Sequence, residues 1–163
     1  MEYVVDVQGF RCPVNEFILK ELAIVSINDD AVPFSVLFQP PCEWSCIPSK
    51  YRCMNRWLEY TLHGLPWNTG DVPHTFVKEI LETIFKDASK IYVKGLEKKN
   101  LFKKFVTQKS TQIIDMHDME CPSLKILCDE SSTDVCSRHS STTKFYCALQ
   151  NVTLLKNWLS RDN

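Results

Sequence analysis

Short hydrophobic runs separated by polar turns dominate the first forty positions of the chain. An almost unbroken β-branched run over 3–7 predicts a buried strand, which the chain is expected to leave at 8–10. Residues 16–28 predict a longer second strand, and residues 33–39 predict a third that ends at two prolines. Because only a short turn at 28–30 separates the second strand from the third, we expect an antiparallel hairpin.

From residue 50 onward, hydrophobic positions recur mostly at helical spacing, with short apolar runs between them. The predicted elements are, in chain order, a helix over 50–62 with Trp57 and Tyr60 on one face, a helix over about 71–85, a strand over 91–94, a lysine-rich helix over about 96–106, a strand over 111–116, a polar loop over 129–144 and a helix over 147–159. Three leading strands followed by alternating helices and strands predict an α/β fold. We expect a mixed five-stranded sheet, with a leading antiparallel meander, flanked by helices.

The length of 163 residues is that of one domain, so we expect a single domain over 1–163. The formal net charge is −1, so overall charge indicates neither a nucleic acid nor a membrane surface as partner. No apolar stretch reaches the roughly 20 residues of a membrane span, and the N-terminus lacks the basic start of a secretory signal. In the reducing intracellular compartment that this implies, the eight cysteines are expected to be thiols or metal ligands rather than disulfides.

A basic segment begins at the end of the predicted strand over 91–94. Its lysines are Lys94, Lys98, Lys99, Lys103 and Lys104. Two aromatic residues, Phe102 and Phe105, lie among them. Basic side chains beside aromatic rings can bind phosphates and stack on bases, so these lysines are predicted nucleic-acid contacts. The alternative is a solvated helix face whose two phenylalanines belong to the core.

The order of elements and several short motifs resemble the DEDD exonucleases of the ribonuclease H-like superfamily. The stretch Asp6-Val7-Gln8 lies where members carry D-x-E, and His63-Gly64-Leu65 is similar to their T-G-[IL] turn. The segment 146–152 is similar to their H-x-A-L-x-D-[AV] helix. The resemblance implies a ribonuclease H-like fold, in which about four carboxylates hold two divalent cations for phosphodiester cleavage.

Most of the acidic residues that this chemistry needs are replaced in the present sequence. Asp6 is at its expected place, but Gln8 replaces the glutamate, Asn151 replaces the last aspartate and Tyr146 replaces the histidine base. An amide does not supply the negative charge with which a carboxylate holds a cation. We therefore expect Asp6 to be a vestigial catalytic residue, with no Mg²⁺ or Mn²⁺ bound and no two-metal hydrolysis.

The chain resembles more closely a degenerate branch of the superfamily, the Maelstrom domain of the animal piRNA pathway. The segment 20–25 is similar to its second strand, and Cys136-x2-His139-x7-Cys147-Ala-Leu is similar to its C-x2-H-x7-C-A-L segment. The resemblance implies one structural Zn²⁺ per chain, held by Glu21, Cys136, His139 and Cys147. It also implies single-stranded RNA or a small-RNA pathway protein as partner, in the cytoplasm (perinuclear granules) or the nucleus.

Residue spacing gives the zinc set a physical basis as well. Two residues separate Cys136 from His139, so both can face one ion from a single turn, and Cys147 brings a third ligand from the start of the last helix. Zinc favours four tetrahedral ligands of thiolate, imidazole or carboxylate type, and a closed set of four indicates a structural site. The first alternative is a loop without metal beside a buried Cys147. A rival set of zinc ligands, earlier in the chain, consists of Cys42, Cys46, Cys53 and His63.

Three hypotheses about function agree with these observations. The leading one is a zinc-stabilised, catalytically degenerate exonuclease-fold domain that binds single-stranded RNA or acts as an adaptor in small-RNA (piRNA) silencing. The second is an active metal-dependent nuclease, a 3′–5′ exonuclease or a ribonuclease, that uses Asp6 with relocated acids such as Asp115 or Asp118. The third is a protein–protein interaction module that does not bind nucleic acid.

Overall fold

Five strands form one mixed sheet in the order β3-β2-β1-β4-β5. The computed structural model describes residues 1–13, 16–28, 30–131, 136–139 and 146–161. The strands are β1 Glu2–Cys12, β2 Glu16–Ser26, β3 Phe34–Leu37, β4 Lys90–Val93 and β5 Gln112–Asp115. β2 is antiparallel to both β1 and β3, whereas β4 is parallel to β1 and to β5. The predicted α/β class is confirmed, and the arrangement is consistent with a ribonuclease H-like fold.

β1 is longer than the sequence predicted, because the strand continues past its predicted end to Cys12. Its pairing with β2 shifts register between Gln8 and Gly9, so the strand is irregular there instead of ending. Phe10 beyond this point is fully buried, and burial of its ring stabilises the extension by about 2 kcal/mol. β1 and β2 lie so close together at Gly9 that only glycine fits, since a Cβ at this position would lie 2.1 Å from the backbone oxygen of Ile18.

Helices pack on both faces of the sheet. They are α1 Ser49–Trp57, α2 Val77–Phe85, α3 Leu96–Phe102, α4 Leu124–Asp129 and α5 Ala148–Arg161. On one face, Phe85 of α2 and Phe102 of α3 belong to the same core cluster as Val5 of β1. On the other face, Leu155 of α5 shares a core cluster with Val4. Because successive side chains of a strand point to opposite faces, β1 contributes to both cores.

The predicted helices are present with shifted ends, and α4 has no counterpart among the predicted elements. α4 has six residues, and its N-cap Ser123 accepts a hydrogen bond from the backbone N–H of Ile126. A helix this short contains less than two turns, so it shows no hydrophobic repeat in the sequence. Within the predicted polar loop over 129–144, residues 132–135 and 140–144 lie outside the described residues.

The predicted helix over 50–62 has two parts, because α1 continues into a π-helical turn over Leu58–His63. The turn ends at Gly64, whose φ of 64° lies in the left-handed region that glycine tolerates best. Buried Asn55 of α1 bonds to both the backbone N–H and the backbone oxygen of Arg11, each at 2.8 Å. The bonds satisfy the backbone N–H and C=O of Arg11 near the C-terminal end of β1, where β4 does not pair with it. They also hold α1 beside this end of the strand.

Candidate functional site

Asp6 lies in the middle of β1, and its side chain is fully buried. One carboxylate oxygen accepts a hydrogen bond of 2.8 Å from Nδ2 of Asn151 in α5, and the other is bonded to the ammonium of Lys98 in α3. The Lys98 side chain is 23% exposed, so the ion pair lies at the edge of the interior. The ammonium of Lys98 and the amide of Asn151 therefore each bind one oxygen of the Asp6 carboxylate, for which the resemblance predicts a vestigial role.

The acids that could replace the missing carboxylates have other partners. Oδ1 of buried Asp115 accepts hydrogen bonds of 2.9 Å from the backbone N–H groups of Gly95 and His117, so it stabilises the loops after β4 and β5. Asp118 pairs with Lys99 at 3.6 Å. In the described part of the chain, neither Asp115 nor Asp118 nor Asp6 belongs to a group of three or more potential metal ligands.

A small cavity of about 160 Å³ lies beside the Asp6–Lys98 pair, between β1, the π-helical turn and α3. Leu58 and Leu62 line it from the π-helical turn, and Gln8 and Lys98 line it from β1 and α3. Small-molecule sites measure roughly 300–1,000 Å³. The cavity is therefore too small to enclose a whole nucleotide-sized ligand and can hold only a small group.

Three potential metal ligands converge where the segment 136–139 meets the start of α5. The ligating atoms of Cys136, His139 and Cys147 all lie within 4.8 Å of one another, and the two thiols interact through a hydrogen bond. Cys147 is buried, whereas Cys136 and His139 are partly exposed. The ligand atoms of one tetrahedral zinc ion lie about 3.5–4 Å apart, so small movements of side chains that lie within 4.8 Å of one another would bring them to one ion. The predicted convergence is confirmed, and the cluster could hold a metal ion.

Hydrogen bonds orient the ring of His139 at this cluster. Nδ1 donates to the backbone oxygen of His63, so Nε2 is the nitrogen that can bind either a metal or a proton. Nε2 lies 3.2 Å from Oε1 of Glu21. Burial lowers the pKa of His139, but the hydrogen bond to Glu21 and its negative charge outweigh burial and raise the pKa above its usual value. A metal ion would compete with a proton for Nε2.

Glu21, the fourth ligand that the resemblance implied, is fully buried at this site. Its Oε2 accepts a hydrogen bond of 2.9 Å from the backbone N–H of Ala148, at the N-terminus of α5, where the helix dipole favours negative charge. Burial and the charge of Glu21 raise the pKa of the Cys147 thiol. A bound dication would oppose this effect, because it stabilises the thiolate. Two thiols, an imidazole and a carboxylate are a donor set that fits zinc.

The rival zinc set of Cys42, Cys46, Cys53 and His63 does not converge within the described part of the chain. Its three cysteines are exposed free thiols. His63 is buried and uses both ring nitrogens, since Nδ1 accepts from the N–H of Leu65 and Nε2 donates to the oxygen of Gly9, each at 3.0 Å. Burial lowers the pKa of His63 to about 4, so the ring is neutral and has a structural role.

The five lysines of the predicted nucleic-acid contact have different environments. Four of them have partners within the protein, namely Lys94, Lys98, Lys99 and Lys103, whose ammonium lies 3.4 Å from Oδ1 of Asn100. Lys103 and Lys104 directly follow α3, and both are exposed to solvent. The lysines of the basic segment therefore differ in burial and partners, a distinction that their spacing does not reveal.

The two aromatic residues of the same segment belong to the core. Phe102 is fully buried, and Phe105 packs against the same cluster of side chains. The alternative interpretation of these phenylalanines is confirmed, and the segment offers neither ring for stacking on a base.

An exposed cluster on α1 and the π-helical turn was not predicted as a functional surface. Met54, Trp57 and Tyr60 have exposed fractions of 41%, 56% and 81%. Their spacing of three residues is visible in the sequence, and it places Trp57 and Tyr60 on one helix face. Periodicity alone does not show whether such a face is turned to the core or to solvent.

No protein-family model matches the sequence, and no curated protein matches it. The resemblance to the Maelstrom family therefore rests on the residues themselves. Within the described residues, no helix is both long enough and apolar enough to cross a lipid bilayer.

Proposed function

We propose that this protein is a zinc-stabilised, catalytically degenerate exonuclease-fold domain of the Maelstrom type that binds single-stranded RNA. The observation that carries the proposal is the ammonium of Lys98 on the carboxylate of Asp6, with the amide of Asn151 on the other oxygen. A fixed cation stands where the chemistry of the exonucleases needs a divalent metal. A domain of this kind binds a strand without cleaving it.

Zinc is the metal proposed for the cluster of Cys136, His139 and Cys147. Thiols and imidazole are ligands that zinc prefers, whereas Mg²⁺ and Ca²⁺ prefer oxygen ligands. Glu21 would complete a closed set of four that leaves no position for a reactive water, so the proposed role is structural. The site would connect β2, the segment 136–139 and α5, and it would stabilise a polar segment that buries little apolar surface.

Single-stranded RNA is the partner in this proposal, and a small-RNA silencing pathway in perinuclear granules or the nucleus is its biological setting. Exposed Lys103 and Lys104 lie at the end of α3, the helix that carries Lys98 to the small cavity. An RNA strand that crosses the mouth of this cavity could contact Lys98 there and the exposed lysines that follow α3. Because the net charge of the whole chain is −1, attraction of RNA would come from these local lysines and not from the overall charge.

Binding and cleavage are tested together with an end-labelled single-stranded RNA. We expect binding that weakens as salt rises, since phosphate contacts release counterions, and no cleavage in Mg²⁺ or Mn²⁺. Charge reversal of Lys103 and Lys104 to Glu should weaken binding. Lys125→Glu, which changes an exposed lysine of α4, is the matched control.

Two results would favour the other hypotheses. Cleavage that depends on a divalent cation and disappears in Asp6→Ala would identify an active nuclease. If the folded protein binds no RNA even at low salt, the result would favour the third hypothesis, a protein–protein interaction module.

A further inference from the structure

The exposed side of α1 and the π-helical turn carries an apolar surface, here named the α1 strip and defined by Met54, Trp57 and Tyr60. Residues three apart on a helix are neighbours on successive turns, so these side chains form a continuous strip. More than half of the Trp57 side chain and four-fifths of the Tyr60 side chain are in contact with solvent. Contiguous apolar patches on a protein surface mark interaction sites. π-Helical turns are rare in proteins, and those that occur are often found at functional sites.

The charge of α1 favours an anionic partner. The helix contains Lys50, Arg52 and Arg56 and no acidic residue. The next acid along the chain, Glu59, is partly buried and interacts electrostatically with Lys20. The strip is therefore flanked by net positive charge, which is complementary to a polyanion that also presents flat apolar faces.

A shallow depression of about 250 Å³ adjoins the strip. Its lining residues include Trp44, Arg56, Glu59, Tyr60, Trp67 and Asn68. The guanidinium of Arg56 lies 5.7 Å from the centre of the Trp44 ring, and the rings of Trp44 and Trp67 are 5.4 Å apart. The volume is below the roughly 300–1,000 Å³ of small-molecule sites, so it suits one planar ring. Unpaired bases stack on aromatic rings and guanidinium planes of this kind.

We propose that the α1 strip binds single-stranded RNA, with bases stacked on Trp57 and Tyr60, one base in the adjoining depression and phosphates against Lys50 and Arg56. This inference rests on the proposed function and moves the principal contact from α3 to α1. α3 and the residues after it keep their rings in the core, whereas α1 exposes both rings and cations. Duplex RNA is a poor ligand for such a surface, because its bases are already paired and stacked.

The test measures the affinity of an end-labelled oligouridine RNA by fluorescence anisotropy. Trp57→Ala and Tyr60→Ala should each weaken binding roughly tenfold, as expected for the loss of one stacked base. Phe34→Ala is the matched control, because Phe34 on β3 is 57% exposed and lies outside the strip. All three side chains are exposed, so thermal melting should show that each variant folds as the wild type does.

The outcomes separate this inference from the function on which it rests. Weaker binding in both strip variants, limited to single-stranded RNA, supports the inference. If the wild-type protein binds the RNA and both variants bind it as tightly, the inference is overturned while the proposed function stands. If both variants lose affinity for duplex RNA to the same extent, base stacking is overturned as the mode of contact. If the wild-type protein binds no single-stranded RNA at low salt, both proposals fail, and the strip serves another partner, such as an acidic protein.

Discussion

The ammonium of Lys98 is bonded to the buried carboxylate of Asp6, which lies 92 positions earlier in the chain. In a two-metal centre, divalent cations from solvent balance such a carboxylate. Here the balancing cation is covalently part of the protein, and α3 delivers it when the fold forms. The charge of Asp6 is therefore neutralised without a bound metal.

Replacement of Lys98 by methionine should destabilise the protein by about 2–3 kcal/mol, because the buried carboxylate of Asp6 loses its cationic partner. We place the loss below the largest values for buried pairs, since Lys98 is 23% exposed and solvent screens its charge. Urea unfolding measures the change. Lys104→Met, at an exposed position, should cost less than about 0.5 kcal/mol. The double variant Asp6→Asn/Lys98→Met should be more stable than Lys98→Met, because it no longer buries a carboxylate without a cation. Equal stability of the two variants would show that the ion pair does not contribute to the stability of the fold.

The purified protein should contain one zinc ion per chain by mass-spectrometric metal analysis. A metal that binds only the folded state stabilises it by about 4 kcal/mol at a free concentration a thousandfold above Kd, so chelation should lower Tm. Cys136→Ser should lose the metal. Cys53→Ser, which changes an exposed thiol outside the cluster, should retain it. An unchanged Tm after complete removal of the metal would contradict a structural role.

Glu21→Gln should fold but bind zinc about 10–100-fold more weakly. The amide oxygen can still accept the hydrogen bond from the N–H of Ala148, whereas the negative charge beside His139 is lost. Competition with a chromophoric chelator measures the affinity. Glu16→Gln, at the exposed start of the same strand, is the control. Equal affinities of the wild type and Glu21→Gln would remove Glu21 from the metal site.

Acid should destabilise the protein through His63. Its pKa is about 4 in the folded protein and 6.5 in the unfolded chain, because burial disfavours the charged ring. Between pH 6.5 and pH 4 the unfolded chain therefore binds a proton that the folded protein does not. The free energy of unfolding should fall by up to about 3 kcal/mol as pH decreases through this window.

Urea unfolding of the metal-free protein at a series of pH values measures this effect. In His63→Asn the amide oxygen can accept from the N–H of Leu65 and does not titrate, so this part of the slope should be absent. His117→Asn, at an exposed position, should keep the slope of the wild type. The raised pKa of His139 acts in the opposite sense and is common to all three proteins. A His63→Asn slope as steep as that of the wild type would assign the acid sensitivity to another group.

Local patterns were sufficient to predict most of the sheet, and β2 begins at its predicted first residue. β4 and β5 lie within one residue of their predicted positions, because short β-branched runs between turns define strands locally. The extension of β1 was not predictable in the same way. It depends on the register shift beside Gly9 and on the side chain of Asn55, which contacts Arg11 across 44 positions of the chain.

The candidate metal centre divides in the same way. The short spacing from Cys136 to His139 was visible in the sequence, and the structure brings both to Cys147. The contact of Glu21 with His139 spans 118 positions, so spacing could not reveal it, and only the resemblance suggested it.

Residue identity alone shows that amides occupy positions Gln8 and Asn151 and that thiols lie near His139 in the chain. The fold was needed to show that Lys98 bonds to a buried carboxylate and that Trp57 is exposed to solvent. The partner and the burial of a side chain depend on the elements that pack around it. Those elements come from distant parts of the chain, and no local pattern specifies them.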